Sequence, residues 1–225
     1  MNPGEPLPVS QHDLEIQANR LAWQRKPILR SVYRGFHELI ASRLDRTVPG
    51  QVVELGSGMG SIKDVIADCV TTDLFPNPWL DCQENAYRLS FADAAVSNLI
   101  LFDPAMSWTG RVIYGLFHHE PIGMRLPITW EAPAGFKPED SDYFAAQGAA
   151  TRIFWQREAP ERLADWTLVE VTPIPAFEYF ATGGFSGPQI GGPGIFRVWR
   201  RLDRALSRWP NLFAARLLVV LKRTQ

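Results

Sequence analysis

The stretch Val52-Val53-Glu54-Leu55-Gly56-Ser57-Gly58-Met59-Gly60 constrains this 225-residue chain more than any other. A short continuous apolar run reads as a buried parallel strand, and glycines directly after it read as a turn where the backbone bends tightly and comes close to a ligand. A helix is expected to start near Ser61 and to carry Ile62, Val65 and Ile66 inward. A second apolar run, Cys69-Val70-Thr71-Thr72, ends in Asp73, placed to accept hydrogen bonds from ribose hydroxyls. A dinucleotide fingerprint reads Gly-x-Gly-x-x-Gly, because a pyrophosphate must sit on the helix end. Here the third glycine comes one residue early, and Glu54 lies where a carboxylate takes a ligand ammonium. Both details favour a nucleoside cofactor with an amino-acid moiety over NAD.

The turn from Glu54 to Gly60, the Thr72-Asp73-Leu74 triplet, and Leu89-Ser90-Phe91-Ala92-Asp93 followed by Leu99-Ile100-Leu101-Phe102-Asp103 resemble class I S-adenosylmethionine-dependent methyltransferases of the type 11 kind. The likeness covers roughly residues 50 to 103, the scale of two βαβ steps. It implies a doubly wound, Rossmann-like α/β sheet with S-adenosyl-L-methionine as cofactor. Carried over residue by residue, Glu54, Gly56, Ser57 and Gly58 take the methionine part, and Asp73 with Leu74 takes the ribose side. Asn85 and Ala86 take the adenine, where the family has Asp; Ser90 stands in place of its Pro. An amide oxygen still accepts from an adenine amino group.

Hydrophobic residues make up 46% of the chain, enough for one α/β unit with its own core. Lys plus Arg is 23 against 24 Asp plus Glu, so no global basic field recommends nucleic acid. Cys69 and Cys82 fall in expected strands and read as small reduced residues rather than a disulfide or metal pair. Residues 1–10 carry Pro3, Pro6 and Pro8 and read as a disordered leader, with the domain from 11 to 225. The apolar run Leu217 to Leu221 is far too short to span a bilayer, and a cytoplasmic location is expected.

Residues 12 to 45 read as helix with a restart at Pro27, an N-terminal extension (11–48) before the first strand. Leu29, Val32, Tyr33, Phe36, Leu39, Ile40 and Leu44 form its apolar stripe. One reading lays this helix over the cofactor cleft, with Trp23, Arg25, Lys26 and Tyr33 touching substrate; the favoured one packs Trp23 and Tyr33 against the sheet and leaves Arg25 and Lys26 solvated. Strands are expected near 51–55, 69–73, 79–83 and 97–102, with further ones at Trp166 to Thr172 and Ala215 to Lys222. The sheet then has about six strands, the last antiparallel to its neighbours.

After Asp103 the pattern breaks. Pro104-Ala105-Met106-Ser107-Trp108 follows at once, leaving no room for a crossover and fifth strand, a unit of roughly 30 residues. The segment Leu99 to Phe102 is therefore expected to stand as one strand in place of two, with one wall of the catalytic cleft missing. That opens a second reading, a cofactor-binding protein with impaired catalysis; a third, an NAD-linked oxidoreductase, is disfavoured by the glycine spacing.

Residues 173–211 form an insertion between the last two strands, expected to lie over the cofactor side as a lid. Within it Phe196, Trp199, Leu202, Leu206 and Trp209 share one helical face, with Arg197, Arg200, Arg201, Arg204 and Arg208 mostly elsewhere. Core packing with a solvated cationic face is one reading; contact with an anionic or lipid-linked small-molecule acceptor, or peripheral contact with a membrane, is the other. His118-His119-Glu120 is no His-Glu-x-x-His, so no metal site is expected. His118, His119 or Asp103 is the candidate base for methyl transfer to an O, N or C nucleophile. Neither the acceptor nor the oligomeric state is written in these residues.

Overall fold

A computed structural model describes residues 11–86, 88–92, 95–117, 122–128, 130–131, 134–135 and 148–224. Two helices open the chain, α1 (Gln11–Arg25) and α2 (Pro27–Ala41), divided where Pro27 removes a backbone donor and starts the second. Three short parallel strands follow, β1 (Val53–Leu55), β2 (Val70–Asp73) and β3 (Cys82–Gln83), paired in that order. The second sheet is built from β4 (Asn98–Pro104), β5 (Trp166–Pro175) and β6 (Ala214–Arg223), in the order β4-β6-β5. Between β4 and β5 lies α3 (Trp108–Phe117); between β5 and β6 lie α4 (Phe177–Ala181), α5 (Pro193–Leu206) and α6 (Pro210–Phe213).

The described residues are thus mixed α/β, with six strands among them and a last strand antiparallel to both neighbours. In place of one continuous sheet there are two sheets of three. Strand β4 runs in register with β6 from Asn98 opposite Lys222 to Pro104 opposite Arg216, and no strand appears between β4 and β5 among the described residues. With a single apolar run where two were needed, Leu99–Phe102 satisfies its backbone donors directly on the last strand.

The core follows from this order. Strand β6 is flanked on both sides and Leu217, Leu218 and Val219 are fully buried; Leu217, Val219 and Leu221 form one cluster with Ala105, Ala214 and Phe154. A second cluster, Ile62, Ile66 and Cys69, lies under Ile40, Ala41 and Leu44 at the end of the helical extension. Helix α2 reaches both sheets: Ile40 rests on that cluster, while the Phe36 ring lies 4.9 Å from Phe102 of β4. Each such buried apolar side chain contributes about 1.5–3 kcal/mol.

Two local expectations are corrected. The segment after the glycine turn forms only a 3-10 turn, Ser61–Asp64, because the span to Cys69 is short and Ile62, Val65 and Ile66 are β-branched. The third strand shrinks to Cys82–Gln83; before it, Asp81 still donates its amide to the Thr71 carbonyl, but its carboxylate, in place of a backbone carbonyl, accepts from the Thr71 amide and hydroxyl. Both cysteines are free, Cys69 buried and Cys82 exposed.

The insertion is folded against the body. Asp203 of α5 accepts from the amides of Phe177 and Glu178, supplying the acceptor that the start of α4 lacks locally, and Arg200 pairs with Glu178. Trp23 and Tyr33 meet this insertion, Tyr33 lying 5.9 Å from Tyr179 and 5.3 Å from Phe185, and Tyr33 also lies near the Arg216 guanidinium of β6. Lys26, expected on the solvated surface, is half-buried instead: its ammonium donates to the carbonyls of Thr182, Gly184 and Gly187 at 3.2, 2.6 and 2.5 Å.

Candidate functional site

The three parallel strands end on one side, and the residues singled out by the glycine pattern gather there. Gly56, Gly58 and Gly60 have φ of +70°, +55° and +70°, left-handed values that a side chain resists. At Gly60 a Cβ would also stand 2.8 Å from the Trp79 carbonyl oxygen, so no other residue fits that bend. Ser57 stitches the turn to β2: its amide donates to the Thr72 carbonyl at 2.8 Å, and its hydroxyl accepts from the Thr72 amide and donates to the Glu54 carbonyl.

Asp73, only 7% exposed, accepts from the Gly58 amide at 3.0 Å through Oδ2. Its backbone carbonyl accepts from Glu84, and the Leu74 carbonyl accepts from the Gln83 side chain. Those bonds hold the ends of β2 and β3 together and bring Asn85 alongside, half-buried and bridged to Arg88, with Ala86 exposed next to it. Glu54, Gly56, Ser57, Gly58, Asp73, Leu74 and Asn85 therefore share one edge, at the carboxyl ends of parallel strands.

Glu54 is the chemically distinctive group. Its Oε2 is buried without a hydrogen-bond partner among the described residues. Burial pushes its carboxyl above the usual range, the Ser57 hydroxyl pulls it back, and the Asp73 charge adds to the rise. An unpaired buried carboxylate oxygen is costly to keep. A ligand ammonium would satisfy it, so the residues present fit the amino-acid end of the implied cofactor.

Asp103 belongs to the other sheet. Burial raises its carboxyl, against the pull of the Arg216 guanidinium. Arg216 lies 4.8 Å over the Tyr179 ring, and its Nε is buried without a partner. Tyr114, whose hydroxyl donates to the Ala215 carbonyl, is pushed up to about 12, chiefly by burial. The structure thus sets Asp103, half-buried on β4 of the second sheet, in an aromatic and cationic setting apart from the parallel strands that carry Glu54 and Asp73. His118 and His119, with Glu120, lie outside the described residues.

Two residues escape a reading of the sequence. A cleft of about 480 Å³ lies between α2 and the 3-10 turn, lined by Trp23, Arg30, Arg34, His37, Ser61 and Asp64. His37, buried and lowered by that burial, had one signal: it stands four residues after Tyr33 and meets its ring at 6.0 Å. Arg216 had another, a lone cation inside the apolar run from Ala214 to Leu221. No metal-binding group of three or more His, Cys, Asp or Glu residues exists among the described residues. No family model, curated protein or solved structure matches this chain.

Proposed function

We propose that this chain binds S-adenosyl-L-methionine at the edge formed by β1, β2 and β3, as a class I methyltransferase-like protein with a Rossmann-like cofactor half. The single observation that carries the reading is the partnerless, buried Oε2 of Glu54 beside a turn of three left-handed glycines. When bound, the cofactor supplies an electrophilic methyl group to an O, N or C nucleophile of a small molecule. Glu54 holds the ammonium, Gly56 and Ser57 leave the backbone open to close approach, and Asp73 shares its oxygens between the Gly58 amide and the ribose. Leu74 and Asn85 flank the base. Methyl transfer then depends mostly on alignment and exclusion of water.

A second reading, cofactor binding with impaired turnover, is favoured by the direct pairing of β4 with β6 and by the place of Asp103 in the second sheet, beside Arg216. Calorimetric titration with S-adenosylhomocysteine and with NAD tests the cofactor. Binding of the first alone, lost on Asp73→Ala and on Glu54→Gln, supports the proposal. Binding of neither, or of NAD, overturns it. Binding without consumption of S-adenosylmethionine against a panel of acceptors selects the second reading.

A further inference from the structure

One face of the molecule is used by nothing described so far. In α5 the inward side is apolar, with Phe196 buried and Trp199, Leu202 and Leu206 half-buried. Successive helical positions turn by about 100°, so Arg197, Arg201 and Arg204 fall within one narrow outer stripe, and Arg208 follows in the turn just past the helix end. All four are exposed, and none of their side chains has an ion pair or hydrogen bond among the described residues; Arg200, at the stripe's edge, is the one that pairs, with Glu178. In a chain of net charge -1 this is a strong local concentration of positive charge.

Apolar side chains border the stripe. Val198 stands out from α5 itself, and Trp209 and Leu212 follow its end, all three exposed. The Ser107 and Thr109 hydroxyls donate to the Leu212 carbonyl, which brings the start of α3 against α6. Helix α3 then presents Trp108, Val112 and Leu116, one above another at four-residue spacing, with Trp108 at 72% and Leu116 at 71% exposure. Exposed apolar patches of this kind mark contact surfaces.

We infer that this face, the arginine stripe of α5 with the tryptophan and leucine side chains of α6 and α3, docks on the surface of an anionic lipid bilayer. Charge complementarity names the occupant. Arginines meet lipid phosphates, while Trp108, Trp209 and Leu116 enter the headgroup boundary, the depth that tryptophan prefers. A nucleic acid would use the arginines and leave the aliphatic side chains without a partner. The apolar face of α5 is spent on the body of the protein, so the helix touches the bilayer by its cationic side and the anchors come from its flanks. This inference holds whatever the cofactor edge takes.

The experiment is sedimentation of the full chain with vesicles of phosphatidylcholine alone or with about one third phosphatidylglycerol, at low and at 0.5 M salt. Binding to the anionic vesicles only, weakened by salt, is expected. Each basic side chain near an anionic leaflet is worth roughly fivefold in partitioning, so the R197S/R201S/R204S/R208S variant drops by at least about a hundredfold. The W108S/W209S variant retains salt-sensitive attraction but loses fluorescence quenching by bromine-labelled lipid. Circular dichroism confirms that both variants fold, and a third, R34S, away from the face, binds as the unaltered chain does. Absence of vesicle binding at low salt, equal binding by the fourfold variant, or retention by single-stranded oligonucleotides in place of vesicles overturns the inference.

Discussion

Replacing Lys26 by methionine keeps the aliphatic stem and deletes only the ammonium. That ammonium uses all three of its protons on the carbonyls of Thr182, Gly184 and Gly187, more than 150 residues away in sequence. It is what fastens the start of α2 to the glycine-rich turns of the insertion. A hydrogen bond to a charged group contributes about 1.5–3 kcal/mol, so three set a ceiling of roughly 5–9 kcal/mol. The side chain is only half-buried and water replaces part of what is lost, which lowers the expected cost to about 2–4 kcal/mol. For a chain of this length each kcal/mol shifts Tm by about 2–4 °C, so Lys26→Met should melt roughly 4–16 °C lower. Differential scanning calorimetry, checked for two-state behaviour by urea unfolding with an unchanged slope, measures this. Limited proteolysis should in parallel cut the variant near Gly183–Gly187 first. A Tm within about 2 °C of the parent, with no new cleavage there, would show that the three carbonyls are satisfied equally well by water and that the clamp is not what holds the insertion.

Leu217→Ala in the fully buried centre of β6 should cost about 2–5 kcal/mol in urea unfolding, for a large hydrophobic group lost where the surroundings cannot collapse. Glu54→Gln should stabilise the free protein at neutral and alkaline pH. Because the folded carboxyl titrates above its unfolded value, its penalty is absent below the unfolded pKa and fully present above the folded one, so stability curves of parent and variant should merge below about pH 4. By the same linkage, affinity for S-adenosylhomocysteine should rise with pH through the titration of Glu54, a trend that calorimetry at several pH values would expose or refute. Asp81, held down to about 2 first by the Lys63 ammonium and then by Thr71, contributes stability that is present above the ordinary carboxylate range and lost as pH falls toward 2; Asp81→Asn should flatten the acid limb of an unfolding profile.

What was legible in the sequence was what depends on near neighbours. The bend at Gly56–Gly60 announces itself because only glycine tolerates those dihedral angles, and the runs at Leu99–Phe102 and Leu217–Leu221 announce strands because a strand buried on both faces has no polar alternation. The acid after each of the first two strands could be assigned to one edge for the same reason. The helix after Gly60 failed where periodicity was read without regard to the length left for it. The surroundings of Lys26 and Arg216 were illegible because they are assembled from distant segments: carbonyls of the insertion, and tyrosines from three separate helices. The division into two sheets was equally hidden, since strand order depends on which edges find partners.

That division has a dynamic consequence. Among the described residues no ladder hydrogen bond joins β1 to β4, and side chains of α2 span the gap instead. Amide exchange should therefore resolve the molecule into two cooperative blocks, with the slowest protons in β6, bonded on both flanks, and the short strands around Asp73 opening at lower free energy. A ligand seated on that edge would register first as slowed exchange in the weaker block, long before any change in the stronger one.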